Sequence, residues 1–431
     1  MKKLLTVLLA SFMLLTACSG NNTNSNSEGG SSSNGKQEIT VWAWDKAFNI
    51  AAMEKAKAVY AEKNAEVNIN IVENAQDDII QKLNAGLNSG TTKSLPNIVL
   101  IEDYRAQSFL QAYPDSFFAL NDFINPSDFA DYKIGPTSFD GKQYGVPFDS
   151  GVAGLYVRTD YLQEAGYSVD DLQNITWDQY IEIGKAVKEA TGKDMLTQDP
   201  NDLGLIRMMI QSAGMWYLQE DGKTPHLADN SALAEAFNTY KSIMDAGIVK
   251  VISDWSQFVG AFNSGDVASI PTGNWITASV KAEADQSGKW AIVPFPTLGN
   301  QANSVHASNL GGSSWYVMNV DGKEAAADFL KQTFASDVDF YQTLVKDIGA
   351  IGTLKAAAEG DAYAAADEFF GGQTAIADLA SWTEQIPNVN YGMHTYAIED
   401  ILVVEMQNFM NGAPLQDVLS NAQTQAETQI R

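Results

Sequence analysis

The chain has 431 residues, with 53 Asp or Glu against 27 Lys or Arg, and its formal net charge at pH 7 is −26. Such an acidic protein lacks the basic face that a phosphate backbone requires, so we predict no nucleic-acid partner. The three histidines are scattered and form no known zinc motif. We therefore predict no metal site and no cofactor.

The first eighteen residues have the pattern of a secretory signal. Two lysines precede an apolar run at 4–15, which is shorter than the ~20 residues that span a bilayer as a helix. The run ends in LTAC at 15–18, which resembles a bacterial lipobox. The resemblance implies that 1–17 is a signal peptide and that Cys18 becomes lipidated, which would anchor the protein to the outer face of the cell membrane. The alternative is an ordinary cleaved signal followed by a chance cysteine.

Cys18 is the single cysteine, so its modification would leave no thiol for a disulfide, a metal or a nucleophile. The stretch that follows it is rich in Ser, Asn and Gly, and we interpret 18–37 as the lipidated cysteine and a flexible tether. A tether of this length has a typical reach of ~25 Å. The remaining chain is too long for one compact core, which favours two domains.

The body of the chain opens with alternating strands and helices. Apolar spacing predicts a strand at 38–44, a helix at 48–63, a strand at 67–72, a helix at 77–87 and a strand at 97–101. This alternation is typical of a parallel α/β sheet.

The rest of the chain is predicted to be richer in helices than the start. Two strands come first, at 141–149 and 151–158. The later predicted elements are helices at 177–191, 202–213, 231–246 and 255–263, strands at 267–271, 290–294 and 313–319, and helices from there to the end. The contrast between the two parts supports two lobes.

Several short motifs, taken in order, resemble those of the extracellular solute-binding proteins of ABC sugar importers, the group that contains maltose- and oligosaccharide-binding proteins. They lie at 41–46 with 48–49, 95–99, 144–147, 156–162, 175–178, 263–268, 273–275 and 311–317. Each motif alone is weak, whereas their order behind a lipobox is specific. The resemblance covers the chain from about residue 38 to its end.

The resemblance implies an α/β fold of the periplasmic-binding-protein type, with two lobes that are each a sheet flanked by helices. Carried onto this chain, the N-lobe is 38–147 plus 297–346, and the C-lobe is 148–296 plus 355–431. Hinge crossings would lie near 147, 296 and 347–354. The Pro-Phe-Pro sequence at 294–296 suits an extended connector, and two glycines would loosen the third crossing.

A sugar has C–H faces that stack on aromatic rings and hydroxyls that need polar partners, so its site combines rings with carboxylates in a cleft. Ligands of open α/β sheets lie beyond the carboxyl ends of the strands. That rule and the resemblance together predict ligand contacts at Trp44, Asp45, Glu102, Asp103, Tyr104, Phe148 and Asp149 after the strands, and at Trp216, Trp255, Trp275, Trp315 and Tyr391 elsewhere. Core packing for the rings and helix capping for the acids are the alternatives.

We predict a monomeric, non-enzymatic receptor that carries no catalytic residue. It would capture a neutral di- or oligosaccharide by closure of the lobes and deliver it to the permease subunits of an ABC transporter. Two alternatives stay open at this point. One is a surface glycosidase that uses paired carboxylates, and the other is a receptor of the same fold for a polyamine or a peptide.

Overall fold

A computed structural model describes residues 37–430, so the predictions for the signal peptide, Cys18 and most of the tether lie outside the described residues. The first described part alternates strictly between strand and helix: β1 (Gln37–Ala43), α1 (Asn49–Ala61), β2 (Val67–Glu73), α2 (Gln76–Ser89), β3 (Ile98–Glu102) and α3 (Asp103–Ala112). The predicted order of the first five elements is confirmed. β1 starts one residue before the predicted strand, within the last position assigned to the tether.

The next part of the chain brings short strands and then longer helices. In order these are α4 (Ile134–Thr137), β4 (Ser138–Phe139), β5 (Lys142–Gln143), β6 (Gly145–Asp149), β7 (Ala153–Arg158), α5 (Thr159–Glu164), α6 (Trp177–Thr191), β8 (Leu196–Gln198), α7 (Gly204–Ser212), α8 (Ser231–Asp245), β9 (Val249–Val251), α9 (Trp255–Asn263), β10 (Ser269–Gly273), α10 (Thr277–Val280) and β11 (Trp290–Val293). β12 (Ser313–Val317) and four helices complete it: α11 (Lys323–Gln332), α12 (Val338–Ile348), α13 (Ala375–Thr383), α14 (Thr395–Met410) and α15 (Leu415–Gln429).

Helix α6 shows how local sequence sets the ends of an element. The backbone N–H of Gln179 donates to the side chain of Thr176 at 3.4 Å, and the Gln179 side chain accepts from the Thr176 backbone N–H at 2.9 Å. This reciprocal cap satisfies donors that the first turn leaves unpaired. The helix stops at Gly192, whose φ of 72° is the left-handed conformation that favours glycine.

The first sheet has five strands in the order β2-β1-β3-β12-β6. β1 runs parallel to β2 and β3, whereas β12 runs antiparallel to both β3 and β6. β3 is a continuous apolar run with its residues 98–101 buried, as expected for a strand with both faces covered. The carboxyl ends of β1, β3 and β6 therefore meet at one edge of this sheet.

A second sheet forms around β7, which pairs antiparallel with β10 on one side and β11 on the other. All six residues of β7 are buried. A separate parallel pair joins β8 to β9. The fold is thus mixed α/β with sheets flanked by helices, as predicted.

The chain passes between the two sheets more than once. It leaves the first sheet after β6 and enters the second at β7, and it returns from β11 to β12. A third segment, after α12, lies beside the first passage, because Ser150 N donates to Ile351 O at 3.2 Å and Thr353 N donates to Phe148 O at 3.1 Å. These passages lie near the three predicted crossings, and the exact lobe boundaries remain a prediction.

The helices cover the sheets through apolar faces. In α1, Ala52, Met53, Ala56 and Tyr60 are buried, and the Tyr60 ring meets Phe329 edge to face at 5.1 Å. Such packing removes apolar area from water and holds the strand ends in place. Within residues 37–430, no helix combines the length and apolar character needed to cross a bilayer.

Candidate ligand-binding site

A cavity of about 690 Å³ lies beyond the carboxyl ends of strands of the first sheet. From that sheet its wall includes Trp44 and Asp45 after β1, Glu102 at the end of β3 and Asp149 at the end of β6. From the part of the chain around the second sheet, the wall includes Arg207 of α7, Trp255 at the start of α9 and Trp275 after β10. The structure thus brings six of the predicted site residues to one cavity.

Trp255 and Trp275 form the aromatic wall, and we call them the open pair. Their ring centroids are 5.8 Å apart and their planes are tilted by 41°. The Trp275 Nε1–H donates to the Leu310 carbonyl at 2.8 Å, which fixes the orientation of the indole. Trp255 is 55% exposed, so the faces of the pair remain available to a ligand. A smaller pocket of about 190 Å³ adjoins them and shares both rings.

Two glycines make room for the Trp275 indole. A Cβ at Gly273 would collide with Trp275 Nε1 and approach the Leu310 carbonyl oxygen. A Cβ at Gly311 would come within 3.2 Å of the same nitrogen, and Gly311 also has a φ of +79°. The glycines in the predicted motifs therefore serve the position of an aromatic side chain.

Asp45 shapes the turn between β1 and α1. Its Oδ1 accepts from the backbone N–H groups of Ala47 and Phe48, at 3.0 and 3.2 Å, and its φ is +60°. Burial raises the pKa of the Asp45 carboxyl, and those two hydrogen bonds oppose the rise. Asp45 thus combines a capping role with a place on the cavity wall.

Asp149 is 5% exposed and also borders the cavity. Its Oδ1 accepts from the Gly151 backbone N–H at 3.1 Å. Burial raises the pKa of this carboxyl to about 6, although the nearby Lys133 ammonium lowers it. A carboxyl with this pKa can donate as well as accept a hydrogen bond near neutral pH.

Asp103 lies behind the cavity wall and is only 1% exposed. It is ion-paired with Lys133, which is itself fully buried, and it accepts from Ser314 Oγ at 2.9 Å. Lys133 also donates to the carbonyls of Asp149 and Ser313, at 2.7 and 3.1 Å. The pair therefore joins β6 to β12, and Asp103 does not reach the cavity in this structure.

Glu102 sits where the cavity meets helix α14. Its Oε2 accepts from the Tyr396 hydroxyl at 2.6 Å and from Gln76 Nε2 at 3.3 Å, and Arg105 Nε lies 3.6 Å away. Burial raises the pKa of the Glu102 carboxyl, while Tyr396 and the arginines lower it. Glu102 thereby links the first sheet to α14 at the edge of the site.

Arg207 is a cavity residue that sequence reasoning missed. It is ion-paired with Glu399, which also accepts from the Tyr217 hydroxyl at 2.9 Å. All nine residues of α7, including this arginine, are buried. A lone cation inside the apolar run GLIRMMIQS was the signal that could have identified it, since an unpaired buried charge is costly.

Three other predicted site residues pack together away from the open pair, and we call Tyr104, Trp216 and Tyr391 the buried aromatic cluster. Tyr104 stacks on Trp216 with centroids 5.6 Å apart, and Tyr391 lies 4.7 Å from each of them. None of the three is more than 2% exposed. Trp216 and Tyr391 border a separate cavity of about 830 Å³.

The polar atoms of this cluster are also paired. The Tyr104 hydroxyl donates to the Asn309 carbonyl at 3.2 Å, and the Tyr391 hydroxyl donates to Asn309 Oδ1 at 3.1 Å. Trp216 Nε1 donates to Thr395 Oγ1 at 3.2 Å. The three rings thus pack on one another and their polar atoms are bonded to protein, away from the open pair.

Phe148 and Trp315 are fully buried in the core beside the first sheet. Their ring centroids are 5.8 Å apart, and both pack on Phe334. Neither side chain borders the cavity of about 690 Å³. Together with Asp103 and the buried aromatic cluster, they are left out of the ligand contacts that we propose below.

The chain belongs to the bacterial extracellular solute-binding protein family, whose model matches residues 55–371. That is a family of binding proteins rather than enzymes, as predicted, and it acts outside the cytoplasm. The glycosidase alternative is therefore not favoured.

Among known proteins, the chain is 47% identical to a lactose-binding protein of Rhizobium radiobacter over 395 residues, which cover 91% of this chain and 93% of the relative. It is 26% identical to a maltooligosaccharide ABC transporter solute-binding lipoprotein of Streptococcus pneumoniae, over 89% of this chain and 86% of that one. In fold it resembles the GacH receptor of Streptomyces glaucescens, with a TM-score of 0.75 at 17% identity, over 92% of this chain and 98% of the receptor. The family resemblance and the two-lobe fold predicted from the sequence are confirmed.

Among residues 37–430, no group of three or more His, Cys, Asp or Glu side chains is arranged to hold a metal ion.

Proposed function

We propose that this protein is the substrate-binding component of a carbohydrate ABC transporter and that it captures a neutral di- or oligosaccharide. The observation that carries the proposal is the cavity of about 690 Å³, which is lined both by the open pair, Trp255 and Trp275, and by carboxylates. Aromatic faces bind the C–H surfaces of a sugar, and carboxylates accept strong hydrogen bonds from its hydroxyls. The 47% identity to a lactose-binding protein makes lactose the first ligand to test.

The charge of the cavity supports a neutral ligand. Asp45, Glu102, Asp149 and Asp202 border it, and among residues 37–430 the one cationic side chain that borders it, Arg207, is ion-paired with Glu399. An anionic ligand would meet repulsion from the carboxylates without a free cation to offset it. A polyamine stays as the second candidate, because the same carboxylates could bind ammonium groups.

In the proposed mechanism, the saccharide contacts both walls of the cavity and thereby favours the closed arrangement of the lobes. The lobes would be 38–147 plus 297–346 and 148–296 plus 355–431, with hinges near 147, 296 and 347–354. The permease subunits would recognise the closed form. A ligand drives such a change only by its differential affinity for the two forms, so contacts from both lobes are essential.

The anchor belongs to the same proposal. Cleavage before Cys18 and acylation of that residue would hold the protein on the outer face of the cell membrane, with 18–37 as the tether and the body as a monomer. The motif at 15–18 supports this, as does the name of the Streptococcus pneumoniae relative, which is described as a lipoprotein. Cys18→Ala is expected to release the protein into the medium, as measured by cell fractionation. A variant that stayed with the membrane fraction would contradict the anchor.

The ligand is tested by thermal shift of the protein from residue 36 onward against lactose, melibiose, maltose, cellobiose and spermidine. The described residues 37–430 lie in one compact unit, which suits this experiment. We expect a reversible rise of the melting temperature with at least one saccharide, without conversion of the sugar. A rise with spermidine alone would favour the polyamine alternative, and release of monosaccharides from lactose would favour an enzyme.

A further inference from the structure

Two polar side chains of the cavity wall keep an unused hydrogen-bonding atom. Asn49 is the first residue of α1 and Arg207 lies in α7, so they approach the cavity of about 690 Å³ from different parts of the fold. They are 5% and 7% exposed. Among the described residues, neither Asn49 Oδ1 nor Arg207 Nε has a hydrogen-bond partner. A buried polar atom without a partner is uncommon and unfavourable, so each calls for an explanation.

The surroundings of Asn49 do not explain its free acceptor. The turn before α1 is capped by Asp45, which accepts from the backbone N–H groups of Ala47 and Phe48. The Asn49 side chain therefore has no capping role to play at this helix start. The terminal torsion of an asparagine is soft, so a small rotation can turn its oxygen towards a group that enters the cavity.

The guanidinium of Arg207 is paired with carboxylates, but one of its N–H donors, Nε–H, has no partner among the described residues. Glu399 takes the Nη1 end of the guanidinium, and the Asp202 carboxylate lies 4.0 Å from Nη2. The Tyr217 hydroxyl in turn fixes Glu399. The network neutralises the cation and orients its plane, while the buried Nε–H has no hydrogen-bond partner among the described residues.

We infer that Asn49 of α1 and Arg207 of α7 bind hydroxyl groups of the saccharide in this cavity, Asn49 as acceptor and Arg207 as donor. This inference rests on the proposed function and adds specificity to it. A hydroxyl can both donate to Asn49 Oδ1 and accept from Arg207 Nε–H. An ammonium group has donors only, so a polyamine would leave the Arg207 donor unpaired. The two residues therefore select a polyhydroxylated ligand, and Glu399 acts as the positioning residue for Arg207.

Lactose binding to the protein from residue 36 onward, measured by isothermal titration calorimetry, tests the inference. Loss of one buried hydrogen bond predicts a Kd that is about five- to tenfold higher in Asn49→Ala and in Arg207→Lys. Arg207→Lys keeps a positive charge beside Glu399 and removes Nε–H, and a circular dichroism spectrum like that of the wild type is expected to show that the fold is retained. Asn49→Asp keeps an acceptor at the same position and is expected to bind better than Asn49→Ala. The matched control is Asn64→Ala at the other end of α1, where the asparagine bonds to Gln332 instead.

Monodeoxy analogues of lactose identify the hydroxyls and exclude an indirect effect. For each residue, one analogue should bind the wild type more weakly than lactose does, yet bind the variant as well as lactose does. Such coupling between one residue and one hydroxyl is the result expected when the two groups interact, whereas groups that act independently give additive losses. If both variants bind lactose like the wild type, or if each loses the same factor for every analogue, the assignment is wrong while the proposed function stands. If the wild type binds lactose no better than spermidine and binds no other saccharide of the panel, the proposed function is wrong and the assignment falls with it.

Discussion

The open pair and the buried aromatic cluster contain the same kinds of side chain in opposite circumstances. Trp275 is held by one hydrogen bond to Leu310, and its neighbour Trp255 is 55% exposed. Trp216 has a ring on each side, a bonded indole nitrogen and 2% exposure. The difference shows that position near a cleft does not by itself leave an aromatic ring accessible, because a ring can contact a ligand only where protein leaves one of its faces uncovered.

The two groups also do different work for the fold. The buried aromatic cluster joins α3, which follows the first sheet, to Trp216 after α7 and Tyr391 before α14. It is therefore a contact between the two parts of the molecule, made by protein alone. The open pair lies within the part around the second sheet and has room beside it for another molecule. We therefore expect substitutions in the buried aromatic cluster to lower stability and substitutions in the open pair to lower affinity for the ligand.

The largest expected effect is on stability, from Trp216→Ala. Removing a fully packed indole should lower the free energy of unfolding by about 3–5 kcal/mol, because the lost contacts cannot be replaced. Urea denaturation followed by circular dichroism measures this. Affinity of the folded variant for lactose should change much less. Unchanged stability with a large loss of affinity would move Trp216 from the buried aromatic cluster to the ligand contacts.

The converse change is Trp275→Ala, which should act on affinity. Loss of a central aromatic contact predicts weaker saccharide binding by about 2–4 kcal/mol, or roughly 30- to 1,000-fold in Kd. Calorimetry with lactose measures it. Trp382→Ala is the matched control, since that ring is also partly buried but lies outside the cavity. Equal affinity of Trp275→Ala and the wild type would remove the open pair from the site.

The third prediction concerns Asp149, a buried acid of the cavity, and the dependence of the protein's stability on pH. The pKa of Asp149 is about 6 in the folded protein, against about 3.9 for an unfolded aspartate. The folded state therefore holds this proton more tightly. Ionising Asp149 therefore lowers the free energy of unfolding. This loss is absent below about pH 4, grows as the pH rises and reaches about 2–3 kcal/mol above about pH 6.

Asp149→Asn removes that contribution, because the amide does not titrate and can still accept from Gly151 N–H. We expect the stability of the variant to fall less between pH 4 and pH 7 than that of the wild type, as measured by urea midpoints at each pH. The stability of the variant should still fall somewhat over this pH range, because the other buried acids also titrate there. Identical pH profiles for the two proteins would mean that Asp149 is not perturbed.

The smallest expected effect comes from Tyr396→Phe. Tyr396 lies in α14 and bonds to Glu102 at the edge of the cavity. Its hydroxyl donates to Glu102 at 2.6 Å, and its ring centroid lies 3.9 Å from the guanidinium carbon of Arg105 and 5.4 Å from that of Arg207. The phenylalanine keeps the ring contacts and loses the hydrogen bond. Stability should fall by about 1–2 kcal/mol, because the bond is made to a charged group. No measurable change in the urea midpoint would show that Gln76 and Arg105 satisfy Glu102 alone.

Much of the secondary structure follows from local patterns. The helix predicted at 177–191 has the same bounds in the structure, because a capping box starts it and Gly192 ends it. The first strands and helices also agree in order, with ends that differ by one or two residues. Trp44, Asp45 and Asp149 were predicted from their place after a strand, and they do border the cavity.

Other parts of the site needed the folded chain. Asn49 sits inside a short motif that was noted for its resemblance alone, and Arg207 was not singled out. Conversely, Asp103 follows a strand in the same way as Asp45, yet Lys133 pairs with it and closes it off from the cavity. A position at the end of a strand predicts that a side chain lies near the cavity. Whether that side chain can reach the cavity depends on the residues with which it pairs in the folded chain.

By itself, the sequence determined the order of the first strands and helices and the family, since those depend on spacing and on short motifs. It also predicted, from residue type near the strand ends, the edge of the first sheet at which the cavity lies. Only the tertiary structure decided which aromatic rings stay uncovered. Tyr104, Trp216 and Tyr391 cover one another although each lies more than 100 residues from the next along the chain. No local pattern encodes such a contact, because it exists only after the two parts of the chain have packed together.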